Sequence, residues 1–85
     1  MKIDYEMKLP KASLKKTGKK IRELREERKI TQDDICILLD LAERHSVYAW
    51  EKGVNYPNMN HLVGLARIFD VKLDNIIQLE ESEDE

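Results

Sequence analysis

An all-α domain of five short helices is the fold this sequence predicts, and three observations predict it. The 85 residues are 41% hydrophobic and 38% charged, with three Gly and two Pro, a composition that suits short amphipathic helices around one modest core. Apolar residues recur three and four positions apart in successive stretches, the period of a helix that buries one face. Thr31, Gly53 and Asn58, residue types that cap helices, stand where those stretches begin and end.

Residues 1–13 hold Pro10, Lys2, Lys8 and Lys11 without a sustained apolar period, and are expected to form a basic arm with little structure of its own, ordering on a partner. From there Leu14, Ile21 and Leu24 mark the inner side of a first helix over 14–28, with Lys19, Lys20, Arg22, Glu23, Glu26 and Glu27 on its wet side. Thr31 offers an oxygen to cap the next helix, and Asp34 three residues later completes a capping-box pattern. The second helix, starting at Gln32, places Ile35, Leu38 and Leu39 on its inner face and Cys36 as a small buried side chain. A third helix over 43–52 turns Val47 and Trp50 inward and Arg44, His45, Ser46, Tyr48 and Ala49 outward. Gly53 suits a left-handed cap, and Pro57 closes the loop that follows. Asn58 caps a fourth helix whose stripe is Leu62, Leu65, Ala66 and Phe69, with His61 exposed on it. A fifth helix is expected over 73–79 with Ile76 and Ile77, then a disordered acidic tail over 80–85. The folded domain is thus expected to span 14–79.

Composition removes several classes of function. Cys36 is the single cysteine, so no intramolecular disulfide forms, and with His45 and His61 it matches no zinc-ligand spacing; no metal and no cofactor are expected. No apolar run approaches the roughly 18–20 residues of a membrane span and no signal-peptide pattern opens the chain, so a cytoplasmic protein without a membrane partner is expected. There is no Ser/His/Asp set and no phosphate-cradling Gly loop, so the chain is not expected to be an enzyme. The net charge of −2 hides an asymmetry: residues 1–29 hold eleven Lys or Arg against five acids, residues 30–79 four against seven, and residues 80–85 five acids and no base. A basic face at one end can bind phosphates while a remote tail sets the overall charge.

Several residues together resemble the Cro/repressor-type (Xre-like) helix-turn-helix family: Gly18-x-x-Ile21-x-x-Leu24-Arg25, Ile30-Thr31-Gln32-Asp33-Asp34-Ile35, Trp50-Glu51-Lys52-Gly53, Pro57, Leu62-x-x-Leu65-Ala66 and Val71-x-Leu73. The resemblance spans about residues 18–79 and implies a lambda-repressor-like five-helix DNA-binding domain. Nineteen residues separate Thr31 from Glu51, one more than in the commonest members, so a longer turn before the third helix is expected. The family implies a small bacterial transcriptional regulator, expected to be a repressor, whose third helix enters the major groove of double-stranded DNA. By position, Arg44, His45, Ser46 and Ala49 are the expected base readers. Gln32 matches the family glutamine that contacts a phosphate and braces the first recognition-helix side chain. Lys52, Asn55, Tyr56 and Asn58 are further phosphate candidates, and Lys19 and Lys20 would follow the DNA backbone. The resemblance also places Arg25 against Glu51 as a partly buried ion pair, and implies a homodimer joined through Ile76, Ile77 and Leu79. A second reading stays open: an antitoxin-like or other protein-interaction module with a protein partner, or a regulator whose acidic tail competes with DNA for the basic face, because Asp33, Asp34, Asp40 and Glu43 lie close to the expected DNA surface.

Overall fold

The structure, a computed structural model, describes residues 2–81. Its five helices are α1 (Leu14–Glu27), α2 (Gln32–Leu38), α3 (His45–Lys52), α4 (Met59–Phe69) and α5 (Leu73–Ile76), with no strand among the described residues. Three of them start on a side-chain cap. Ser13 Oγ accepts the Lys16 N–H, Asn58 Oδ1 accepts the His61 N–H, and Thr31 Oγ1 accepts the Asp34 N–H while Asp34 Oδ2 accepts the Thr31 N–H in return. Each such cap stabilises its helix by about 1 kcal/mol.

The ends of α1 to α4 share one device. A residue in left-handed backbone follows the last turn, and the next N–H reaches back to a carbonyl five residues earlier: Ile30 to Arg25, Leu41 to Cys36, Val54 to Ala49 and Val71 to Ala66. Gly53 fills the left-handed position after α3 with φ 74°, as its composition suggests. Lys29, Asp40 and Asp70 fill it elsewhere with φ of 54–56°, which costs a residue with a Cβ about 1 kcal/mol. The bend at Asp40 stops α2 after Leu38, and six residues separate it from α3.

Ile21, Leu24, Ile35, Cys36, Val47, Trp50, Leu62, Leu65, Phe69 and Ile76 form the core. Leu38, expected inside, is 61% exposed. The buried arc of α2 is instead centred on Ile35, Cys36 and Leu39, because Leu39 reaches α4 beside Gly64 and Cys36 lies against the Arg44 carbonyl. His61, expected at the surface, is half-buried with its ring 5.5 Å from that of Trp50. Arg28 closes the far side, donating to the Phe69 and Leu24 carbonyls across the Phe69 ring.

The fifth helix is shorter than the expected 73–79. Residues 77–80 are drawn into extended backbone by the N-terminal segment: the Gln78 N–H bonds to Thr17 Oγ1, the Ser13 N–H to the Gln78 carbonyl, and the Glu80 N–H to the Lys11 carbonyl. Ala12 and Leu79 pair as a single antiparallel bridge. Ile76 is fully buried in its own chain, which removes it from the expected dimer contact; Leu79 remains 53% exposed. Residues 82–85 of the expected acidic tail lie outside the described residues.

The backbones of α1 and α3 approach each other closely. A Cβ at Gly18 would collide with the Trp50 carbonyl oxygen, so only glycine allows the two backbones to meet there. Two turns along, Arg25 makes a two-pronged pair with Glu51, Nε to Oε2 at 2.6 Å and Nη2 to Oε1 at 3.1 Å. The two side chains are 13% and 4% exposed. Glu51's hydrogen bonds hold the Arg25 guanidinium above its ordinary pKa against the opposing effect of burial, with further help from the charges of Glu51 and Glu26. Glu51→Ala should therefore cost about 3–5 kcal/mol in urea unfolding at neutral pH, and the Arg25→Met/Glu51→Met double variant should recover most of it. The Thr31 backbone N–H, then its hydroxyl, lowers the Asp34 carboxyl below its ordinary value. Because the folded value is depressed, the stability Asp34 contributes is complete above the unfolded carboxylate pKa and lost as pH falls through the folded one. Thermal unfolding of Asp34→Asn should thus show a shallower loss of stability below about pH 4 than the parent chain.

Candidate nucleic-acid interface

The candidate surface is built from the start of α2, the outer side of α3 and the neighbouring side of α1. Arg44 is the residue before α3, with its backbone already helical but no side-chain cap. Its side chain is 82% exposed and its Nη2 lies 3.5 Å from Asp33 Oδ2 on α2. His45 opens α3 with Nε2 3.8 Å from Glu43 Oε2, a contact that becomes an ion pair only when the imidazole is protonated. Ser46 and Ala49 are half-buried on the same helix, one turn apart. Arg44 at its start and His45, Ser46 and Ala49 on its first turns thus cluster at the N-terminal end of one short helix.

The acids near this surface are largely engaged within the chain. Asp34 closes the capping box, Asp33 faces Arg44, Glu43 faces His45, and Glu51 is neutralised by Arg25. The charges of Asp33 and Glu51 are therefore paired with arginines of the same chain, and an incoming phosphate meets them weakened.

Gln32 begins α2, but its side-chain amide is turned inward and donates to Glu51 Oε1 at 3.0 Å. Its partner is the buried ion pair, not a recognition-helix side chain of the α3 N-terminus. Lys52 ends α3 with its ammonium 5.5 Å from the centre of the Tyr48 ring. Asn55 is exposed in the loop after α3, Asn58 spends its side-chain oxygen on the α4 cap, and the Tyr56 hydroxyl donates to the Ala12 carbonyl. Tyr56 is thereby tied to the N-terminal segment.

The basic residues of α1 divide between two sides. Lys15 packs against Gly53 at the end of α3, and Arg22 lines a cleft with Tyr48 and Lys52. Lys19 and Lys20 instead line a shallow groove with Lys16, Glu23 and Gln78, beside the C-terminal segment. Glu81 reaches this second side, its carboxylate 3.3 Å from the Lys16 ammonium. Arg22, Asp33 and Tyr48 were not singled out as site residues from the sequence. Helical spacing carries a signal for two of them: Arg22 lies four residues after Gly18, and Tyr48 four before Lys52.

No group of three His, Cys, Asp or Glu able to hold a metal ion occurs among the described residues, and none of their helices is long and apolar enough to cross a membrane.

Comparison with known proteins agrees with this architecture. The sequence matches the family described as "Helix-turn-helix domain" over residues 18–82. It is 32% identical over 64 residues to the HTH-type transcriptional activator BcrR of Enterococcus faecalis, a match covering 75% of this chain and 31% of that protein. The chain thus spans about a third of that relative's length. Among solved structures, the restriction-modification controller protein C.AhdI from Aeromonas hydrophila aligns with a TM-score of 0.67 and 27% identity, covering 74% of this chain and 94% of that one. A transcriptional regulator from Listeria innocua aligns with a TM-score of 0.69 and 18% identity over 88% of this chain and 67% of its own, and shares the fold. The DNA-binding domain of BldD, at a TM-score of 0.64 and 18% identity, covers 76% of this chain and 93% of its own and shares it too. With its capped α2, its bent turn and its α3 held against α1, the chain belongs to the helix-turn-helix domain family, among regulators of the Cro/repressor (Xre-like) type.

Proposed function

We propose that this chain binds double-stranded DNA sequence-specifically and regulates transcription, with α3 lying in the major groove. The observation that carries the reading is the clustering of Arg44, His45, Ser46 and Ala49 at the N-terminal end of α3, a helix held by its buried face through Val47 and Trp50. A recognition helix needs such a rigid seat, because base reading depends on donors placed to within a fraction of an ångström. Arg44 and His45 donate to base edges, Ser46 serves either strand, and the Ala49 methyl meets a thymine methyl. Asn55 and Lys52, beside the end of α3, meet the sugar-phosphate backbone. Lys19 and Lys20 line the groove with Gln78 rather than the cleft beside α3, which favours a role for them in long-range attraction over direct contact.

Repression by covering a promoter is the simplest outcome, since it asks only for occupancy. The Enterococcus relative is named an activator, and the same DNA contact activates where its site lies upstream of the polymerase. The protein acts in the cytoplasm, as a homodimer on two half-sites about one helical turn apart. Ile77 and Leu79, but not the buried Ile76, are left to supply the contact between copies. The exposed neighbours Ile37 and Leu38 on α2, at 78% and 61%, favour an additional protein partner on a face separate from α3.

Selection of duplexes from a random pool should yield a palindromic consensus, and binding should weaken steeply between about 50 and 200 mM salt. Failure to enrich any sequence, or a flat salt response, would overturn the reading. On the selected duplex, Arg44→Ala should cost about 1–3 kcal/mol by fluorescence anisotropy and relax the preference at one base position. Asp33→Asn should act in the opposite direction and tighten binding a few-fold, since it frees Arg44 from an exposed pair worth under about 1 kcal/mol.

A further inference from the structure

A cleft of about 300 Å³ opens between α1, α2 and α3, lined by Arg22, Arg25, Gln32, Tyr48, Glu51 and Lys52. Its charge is one-sided where a ligand would meet it. Glu51 is its single carboxylate, only 4% exposed and bonded to both Arg25 and Gln32. Arg25 in turn is committed to Glu51 and to the Ile30 carbonyl. The groups left to face an occupant are the Arg22 guanidinium, the Lys52 ammonium, the Tyr48 hydroxyl and the second N–H of the Gln32 amide. Arg22 is tied to Glu26 through Nε, a surface pair with both side chains about half exposed, so its terminal nitrogens keep their donors. Lys52 is steered by the Tyr48 ring one turn before it, at 5.5 Å, a cation–π contact that narrows the positions the long side chain samples. All of these are donors, two are cations, and the cleft adjoins the outer side of α3.

An oxyanion with two or three acceptor oxygens matches that set, and on this face the source at hand is the DNA backbone. We infer that the cleft holds one backbone phosphate of the bound DNA, gripped by Arg22, the Tyr48 hydroxyl and Lys52. The inference rests on the DNA-binding reading and adds to it a contact that fixes register. An α3 helix lying in the major groove brings the flanking phosphates toward α1 and the start of α2, and a guanidinium is the side chain that matches two phosphate oxygens at once. Glu51 then has a second role besides tying helices: by holding Arg25 and Gln32 it sets the back wall against which the phosphate rests.

The test uses the full chain, the selected duplex, and a series of the same duplex with one backbone phosphate replaced by an uncharged methylphosphonate. Arg22→Gln and Tyr48→Phe should each bind about tenfold more weakly at moderate salt, and equally so on specific and unrelated DNA. Arg22→Gln should lower the slope of log affinity against log salt by about one. Lys72→Gln, the same charge change at the start of α5, supplies the comparison and should alter affinity less than twofold. The parent chain should lose affinity at one methylphosphonate position where Arg22→Gln loses nothing further. Unfolding curves of the variants should overlay that of the parent, since each removes only an exposed group. If the parent binds DNA while Arg22→Gln and Tyr48→Phe bind as the parent does, the cleft is not a phosphate site and the DNA-binding reading stands. If the variants weaken binding but every methylphosphonate position costs them what it costs the parent, the cations act at a distance and the inference fails. If the parent binds no DNA, both fall.

Discussion

Glu51 is the side chain on which the geometry of this domain turns. A buried carboxylate is costly unless it is paired and its remaining lone pairs are filled. Here Arg25 from α1 takes both oxygens and Gln32 from the start of α2 takes one of them again. Arg25 also holds the Ile30 carbonyl, in the turn between α1 and α2. One charge on α3 therefore ties down α1, the turn leading from α1 to α2, and the first residue of α2, its helix-turn-helix partner. The contact is directional, whereas apolar packing tolerates small slides, so it fixes the rotation of α3 about its own axis. That rotation decides which side chains face outward.

Close approach makes the pair possible. Gly18 lets the α1 backbone meet the Trp50 and Glu51 carbonyls, and Arg25 lies two turns further along the same side of α1. A side chain at position 18 would separate the helices and pull the guanidinium away from its carboxylate. Around this contact the core contributes non-directional stability, with Val47 and Trp50 anchoring α3 and Ile35 and Cys36 anchoring α2. Outside the core the segment leading into α1 meets the segment after α5, Thr17 and Ser13 holding Gln78 while Lys11 holds Glu80. That pairing brings Glu81 onto Lys16, which offsets one of the charges on the side of α1 that carries Lys19 and Lys20.

Much of this was legible in the sequence because it depends on local rules. The caps at Thr31 and Asn58, the left-handed Gly53 and the periodicity of α1 and α4 follow from residue type and spacing, and the pairing of Arg25 with Glu51 is implied by the family resemblance. What was misread lay where long-range contacts override those rules. Spacing admits Leu38 beside Ile35, and only the position of α3 and α4 leaves it outside while Cys36 is buried as expected. Leu73 to Leu79 has residues suited to one more helical turn, but competing hydrogen bonds from Ser13, Thr17 and Lys11 take the backbone groups that a longer helix would use.

The sequence alone determined the class of fold, the order of its five helices and the family, since amphipathic period, capping chemistry and motif spacing are local properties written into neighbouring residues. Tertiary structure decided which basic residues share a face with α3. Arg22 and Lys20 are two positions apart on one helix, yet a helix turns by about 100° per residue, and only the packing of Gly18 on α3 and of Thr17 on the C-terminal segment assigns one to the cleft and the other to the opposite groove.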